Sequence, residues 1–178
     1  MMDPDSLSGW NPRWMPGDAA IEVNRDGLRS IRGHAVVEAW VAVDVASDEL
    51  FADLPVILRL DNDRQIEIAW QKFDDLSITW NSIDVTIDPR GWVTYPLVWR
   101  ARAHPALRAF VGHPIASIDA TRGDLVMGAE PGSVHRTRMT TGLWFNATAV
   151  GLHIFNALDE NGLSNDGGPA TRFLRVPL

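Results

Sequence analysis

The sequence predicts an all-β fold with one or two short helices, a sandwich or partly open barrel made of two pseudo-symmetric, internally duplicated halves. Two observations carry that expectation. Residues 28–36 read LRSIRGHAV and residues 107–115 read LRAFVGHPI, so that Leu28, Arg29, Gly33 and His34 align with Leu107, Arg108, Gly112 and His113 at one constant spacing. The spacing then lengthens and the match resumes, with Leu58-Arg59-Leu60 opposite Leu143-Trp144-Phe145, and Phe73-Asp74-Asp75 opposite Leu158-Asp159-Glu160. Short alternating apolar segments separated by turn residues also recur along the chain, which is the pattern of antiparallel strands. At 178 residues the halves are expected to share one core in a single domain.

Taken in order, residues 1–19 hold Trp10, Pro12, Trp14 and Pro16 among small polar residues and predict an extended arm. Repeat one is placed at 20–80. Ala20 to Val23 reads as a first strand and Asn24-Arg25-Asp26-Gly27 as a turn. The repeated phrase then predicts a helical turn carrying Leu28 and Ile31 on one face, stopped by Gly33 in a left-handed conformation. An apolar strand, Ala35 to Val43, follows. Leu54 to Leu60 and Gln65 to Lys72 flank Asp61-Asn62-Asp63-Arg64 as a hairpin, with Ile66, Ile68 and Trp70 on its buried face and Gln65, Glu67 and Gln71 on its wet face.

Residues 81–103 read as an inserted hairpin, in which Ile83, Val85 and Ile87 alternate, Asp88-Pro89-Arg90-Gly91 turns, and Trp92 to Trp99 returns. Pro96 assigns that return to an edge or a bulge. Repeat two, 104–165, opens on His104-Pro105, a helix start with glycine just past its end at Gly112. Met139 to Asn146 and Val150 to Asn156 form its hairpin. The run Asp159 to Gly168 reads as a loop, and 166–178 holds a closing strand over Phe173 to Val176.

Composition narrows the function classes. The net charge of −7 disfavours nucleic acid and anionic membrane surfaces as partners, because the mean field repels polyanions. No stretch has the length of a membrane span, and the first residues lack both a basic start and an apolar run, so no secretory signal is expected. With no cysteine, disulfide and thiol chemistry are excluded and the cytoplasm is the expected compartment. All but one of the basic residues are arginine, Lys72 being the exception, a bias that a GC-rich bacterial genome imposes.

Several residues invite chemistry, each with a plainer reading beside it. His34 and His113, at equivalent positions of the repeat, are metal-ligand candidates if they meet near a pseudo-two-fold axis. A helix-end or backbone-bonding role is favoured, because a metal site needs three or four ligands and no further ligand spacing is present. The pairs Asp74-Asp75 and Asp159-Glu160 offer carboxylates to a cation or a partner. Neighbouring strand residues point to opposite faces, however, and strand-end turns with solvated charge are the favoured reading. The loop 159–168 carries oxygen ligands without the spacing of a calcium loop. His153, and His135 with Ser133 and Arg136, fit no nucleophile motif, and Gly167-Gly168 fits no phosphate loop.

Trp80, Trp92 and Trp99 cluster in or beside the inserted segment. Tryptophans of this kind build cores more often than binding surfaces, yet they also dominate interaction hot spots. The leading functional expectation is a non-catalytic binding protein, of inhibitor or immunity type. It would meet a protein with a basic face through the tryptophan-rich insertion and the flanking acids Asp74, Asp75, Asp84 and Asp88, without a cofactor, as a monomer or weak homodimer. A small-ligand protein with a tryptophan-lined cleft is the alternative, and a metal-dependent enzyme using the histidines and acidic pairs is the third.

Overall fold

The computed structural model describes residues 10–90, 92–127, 135–166 and 174–178. Eleven strands and two helices follow one another: β1 (Met15–Pro16), α1 (Gly17–Ser30), β2 (Val36–Asp44), β3 (Val56–Leu60), β4 (Gln65–Gln71), β5 (Asp75–Trp80), β6 (Leu97–Ala101), α2 (Pro105–Phe110), β7 (Ser117–Met127), β8 (His135–Asn146), β9 (Gly151–Asn156), β10 (Asn161–Ser164) and β11 (Leu174–Pro177). They form two antiparallel sheets, a six-stranded one in the order β1-β5-β4-β3-β2-β6 and a five-stranded one in the order β10-β9-β8-β7-β11. The fold is therefore mostly β, a two-sheet architecture of the predicted class.

Each half runs in the same order. A helix and a left-handed glycine, Gly33 (φ 86°) or Gly112 (φ 93°), lead into four strands paired in sequence, and a fifth strand returns beside the first of the four. The halves meet through backbone. Gly33 N–H donates to Ile115 O (2.8 Å) and Gly112 N–H to Val36 O (2.7 Å), while Val36 N–H donates to His113 O (3.3 Å) and Ile115 N–H to His34 O (3.0 Å). These are two reciprocal pairs about the Ala35–Pro114 bridge.

One apolar core joins both sheets and both helices. It takes Leu28 from α1, Leu58 from β3, Trp70 from β4, Phe110 from α2, Phe145 from β8 and Ile154 from β9, among others. The strand alternation that a half-buried sheet requires is present, since Ile66, Ile68 and Trp70 of β4 all face this core.

The amino-terminal expectation is corrected. Residues 17–30 are a 14-residue helix, where an extended arm to residue 19, a strand at Ala20–Val23 and a turn at Asn24–Gly27 were expected. Ala20, Ile21 and Leu28 form its buried stripe at helical spacing, and Asn24, read as a turn residue, sends its Nδ2 to Ala20 O (2.9 Å) across one helical turn. The inserted hairpin is corrected as well. Within 81–96 no strand forms among the described residues, and the ordered return is β6 alone, an edge strand that begins just after Pro96.

That segment has another role. It crosses the outer face of the six-stranded sheet and, with Trp10 and Trp14, builds a second apolar layer on Ala42, Leu54, Ile57, Ala69 and Leu97. Gln65 and Glu67, expected to be wet, are consequently buried. A third correction concerns the loop 159–168, which contains β10.

Candidate functional site

The site grows from two turns at one end of the molecule. Strand β2 ends there at Asp44, β3 starts at Val56, and β4 hands over to β5 through the turn Lys72–Asp74. In the other sheet β9 hands over to β10 through 157–160. Both turns need left-handed backbone at non-glycine residues, Lys72 (φ 52°) in one, Leu158 (φ 66°) and Asp159 (φ 83°) in the other. Such conformations persist where side chains fix them.

Here the fixing bonds run between the two turns. Asn156 Nδ2 donates to Lys72 O (2.7 Å), Lys72 N–H donates to the Asp159 carboxylate, and Asp159 N–H returns to Asn156 Oδ1 (3.0 Å). A buried amide anchors the pair to the body. Asn161 Nδ2 donates to Ala52 O (2.8 Å) and Leu54 O (2.9 Å), and Asn161 Oδ1 accepts from Trp70 N–H (3.0 Å).

The consequence is a joined, two-tipped surface. Phe73 is 68% exposed and Leu158 is 91% exposed, one large apolar side chain at each tip. The same turns and the strand start beside them carry Asp74, Asp75, Asp159 and Glu160. Lys72 reaches Asp75 at 3.4 Å and neutralises part of that charge. Burial, and secondarily the neighbouring Asp159, raise the Asp53 carboxyl above its ordinary value.

The fold thus brings together the two acidic pairs, and it does not bring together the three tryptophans. Trp80 packs on the inner core beside α1, donates Nε1–H to Asn24 Oδ1 (2.9 Å), and carries the Arg64 guanidinium over its ring at 4.8 Å. Trp92 and Trp99 belong to the outer layer, with Trp92 5.7 Å from Trp10. Asp84 lies on the crossing segment, where hydrogen bonds from the Thr86 hydroxyl and backbone N–H hold its carboxylate below the usual range.

His34 and His113 flank the reciprocal backbone bonds described above. The His34 ring is committed locally, Nδ1 to Asp61 Oδ1 (2.7 Å) and Nε2 to Asn62 Nδ2 (3.2 Å). Ala35 N–H, and then His34 itself, hold Asp61 below its ordinary value. Among the described residues no group of three or more histidine, cysteine or acidic side chains has the geometry to hold a metal ion. No helix among them is long and apolar enough to cross a membrane. The Ser133 and Gly167-Gly168 readings lie outside the described residues, as does the side chain of His135.

His153 is fully buried on the outer face of the five-stranded sheet, with Nε2 at 2.9 Å from Thr121 Oγ1 and its ring between Trp144 (5.8 Å) and Phe155 (4.8 Å). Burial, and secondarily Arg175, lower its pKa to about 4. Thr121 is equally buried, so this pair offers no reacting atom to a substrate.

Phe73 and Leu158 were absent from the sequence-derived candidates, which kept only the acids beside them. A signal was available: the aligned runs Phe73-Asp74-Asp75 and Leu158-Asp159-Glu160 each place an apolar residue in a turn, where water is its expected neighbour. The chain matches no family model, and comparison with curated proteins and with solved structures finds none similar to it.

Proposed function

We propose that the protein is a non-catalytic binding protein whose tethered turns dock a partner protein with a cationic, partly apolar face. One observation carries this reading: two large apolar side chains stand exposed on a joined pair of turns, among carboxylates. Isolated exposed hydrophobic residues are ordinary, but a tethered pair among four carboxylates that outnumber the one cation of the turns, Lys72, has the layout of an interface, with an apolar anchor within and a polar rim without. The carboxylate rim would speed encounter with a basic surface, and the apolar tips would hold it. The inserted tryptophans serve this reading as a scaffold that supports the sheet behind the turns.

The same proposal takes the two halves as copies of one ancestral unit, with the tips as equivalent points of each copy. The repeated phrase and the reciprocal backbone bonds support it. It takes the cytoplasm as the place of action, which suits a chain without cysteine.

The test is affinity capture from native cell extract with the wild-type chain, with a Phe73→Ser/Leu158→Ser double variant, and with Val37→Ser, exposed at the far end of β2, as a remote surface control. A partner retained by wild type and by Val37→Ser, lost by the double variant and released by added salt is the expected result, since exposed charge pairs are screened over about 10 Å at 0.1 M salt. Equal recovery by the double variant, or recovery indifferent to salt, overturns the reading.

A further inference from the structure

A trough of about 300 Å³ lies at the other end of β5, away from the turns. Its origin is topological. Strand β1 pairs with β5 at only two positions, Met15 with Leu76 and Pro16 with Asp75. Amino-terminal to Met15 the chain leaves the ladder and climbs onto the outer face of the sheet, where Arg13 N–H donates to Ser77 Oγ (3.0 Å) and Trp10 Nε1–H to Thr79 Oγ1 (3.1 Å). Helix α1 occupies the inner face. Between arm and helix the edge of β5 beyond Leu76 is left open, walled by Asn11 and Arg13 on one side and by Val23 and Asn24 on the other.

The backbone of that edge faces the opening. Asn81 N–H donates to Gln65 O (3.0 Å), and Thr79 stands opposite Glu67. The alternation of an antiparallel ladder therefore turns the polar groups of Thr79 toward β4 and those of Ile78 and Trp80 away from it. Ile78 and Trp80 both line the trough, so the ladder directs their N–H and C=O groups to the side where an added strand would lie. Beside them the Trp80 ring is fixed by its bond to Asn24, and Val23 stands 65% exposed. The Arg13 guanidinium makes no ion pair among the described residues.

From this we infer that the trough binds the carboxyl-terminal end of an extended peptide. The peptide continues the pairing that β1 begins, lays a side chain between Trp80 and Val23, and places its terminal carboxylate on Arg13. Strand addition supplies the backbone contacts, and a charge-assisted bidentate bond supplies selectivity for a free carboxylate. The volume is at the small end of ligand sites, which suits two or three residues rather than a long segment. In a chain of net charge −7, one exposed arginine at the mouth of the trough, without an ion pair among the described residues, suits a discrete anion and not a polyanion.

The experiment is an amide-resolved NMR titration of the full chain with acetyl-Ala-Val-Ala bearing a free carboxylate, and with the same peptide as its carboxyl-terminal amide. Saturable shifts are expected at the Ile78 and Trp80 amides and at the Trp80 indole N–H. The amide form should bind about tenfold more weakly, the scale of one charge-assisted bond. Arg13→Gln, at an exposed position that the fold does not need, should reduce the acid to the affinity of the amide. The assignment is overturned by shifts confined to the Phe73 and Leu158 turns, by no saturation at Ile78 and Trp80, by equal binding of acid and amide, or by a preference that survives Arg13→Gln. Since the partner-binding turns lie at the opposite end of β5, either site can fail without the other.

Discussion

At the residue scale, several polar groups are buried and each must find its hydrogen bonds inside the protein. Glu67 is 1% exposed, and its carboxyl oxygens accept from Gln65 Nε2 (2.8 Å), Ser82 N–H (2.9 Å) and Ser82 Oγ (3.0 Å), which pins the start of the crossing segment to β4. His153 is the clearer probe, because its protonation is linked to folding. Its pKa falls from 6.5 to about 4 on folding, so between those values the unfolded chain holds more protons than the native one. Stability should therefore be full above pH 6.5 and fall as pH drops toward 4, by on the order of 3 kcal/mol. His104, lowered by burial and by Arg108, adds in the same direction, while Asp53, raised by burial, acts in the opposite one. Urea unfolding across this range should show the slope in wild type and a flatter profile in His153→Gln; parallel profiles would refute the linkage. Neither burial was legible in the sequence. The alternation of β4 turns Glu67 away from the core, as its sequence pattern predicts, but nothing in a strand says that a second layer covers its far face.

At the scale of elements, glycine decides where the sequence misleads. Asn24-Arg25-Asp26-Gly27 has turn chemistry, yet it lies inside α1. Gly27 is there because a side chain would collide with Trp80: an added Cβ would stand 2.7 Å from the ring carbon Cζ2. Glycine to alanine inside a helix ordinarily stabilises by about 1 kcal/mol. Here the ring is held by Asn24 and stacked under Arg64, so it has little freedom to yield, and overpacking costs about 1–3 kcal/mol. Gly27→Ala should therefore destabilise, read as a lowered urea midpoint with an unchanged slope; a raised midpoint would mean that the ring moves aside. Gly33 and Gly112 differ in kind. Nothing lies within 4 Å of an added Cβ at either, and their positive φ alone calls for glycine. That is why the repeated phrase revealed them as helix stops. The β3–β4 hairpin was equally legible from its alternation, whereas the irregular crossing segment was not, since its apolar residues alternate without pairing and owe their order to the sheet beneath.

At the scale of the molecule, the question is whether two halves of like order behave as one body. The sheets would unfold separately if each held its own core, but the apolar core draws on both sheets and both helices, and α1 of the first half lies against β5 of one sheet and β8 of the other. The backbone bonds around Ala35 and Pro114, and the Asn161 amide between the sheets, add polar links that only the joined state satisfies. Exposing the inner face of either sheet would uncover side chains such as Trp70 or Phe145, each about 2–3 kcal/mol of lost burial, so partial unfolding of one half strips the other. A single cooperative thermal transition is expected, with calorimetric and van't Hoff enthalpies equal. Leu58→Ala in the first half and Phe145→Ala in the second should each lower that one transition by an amount matching a cost of about 3 kcal/mol or more. If either variant instead splits the transition in two and leaves the upper step where wild type has it, the halves are autonomous, and the shared core does not couple them.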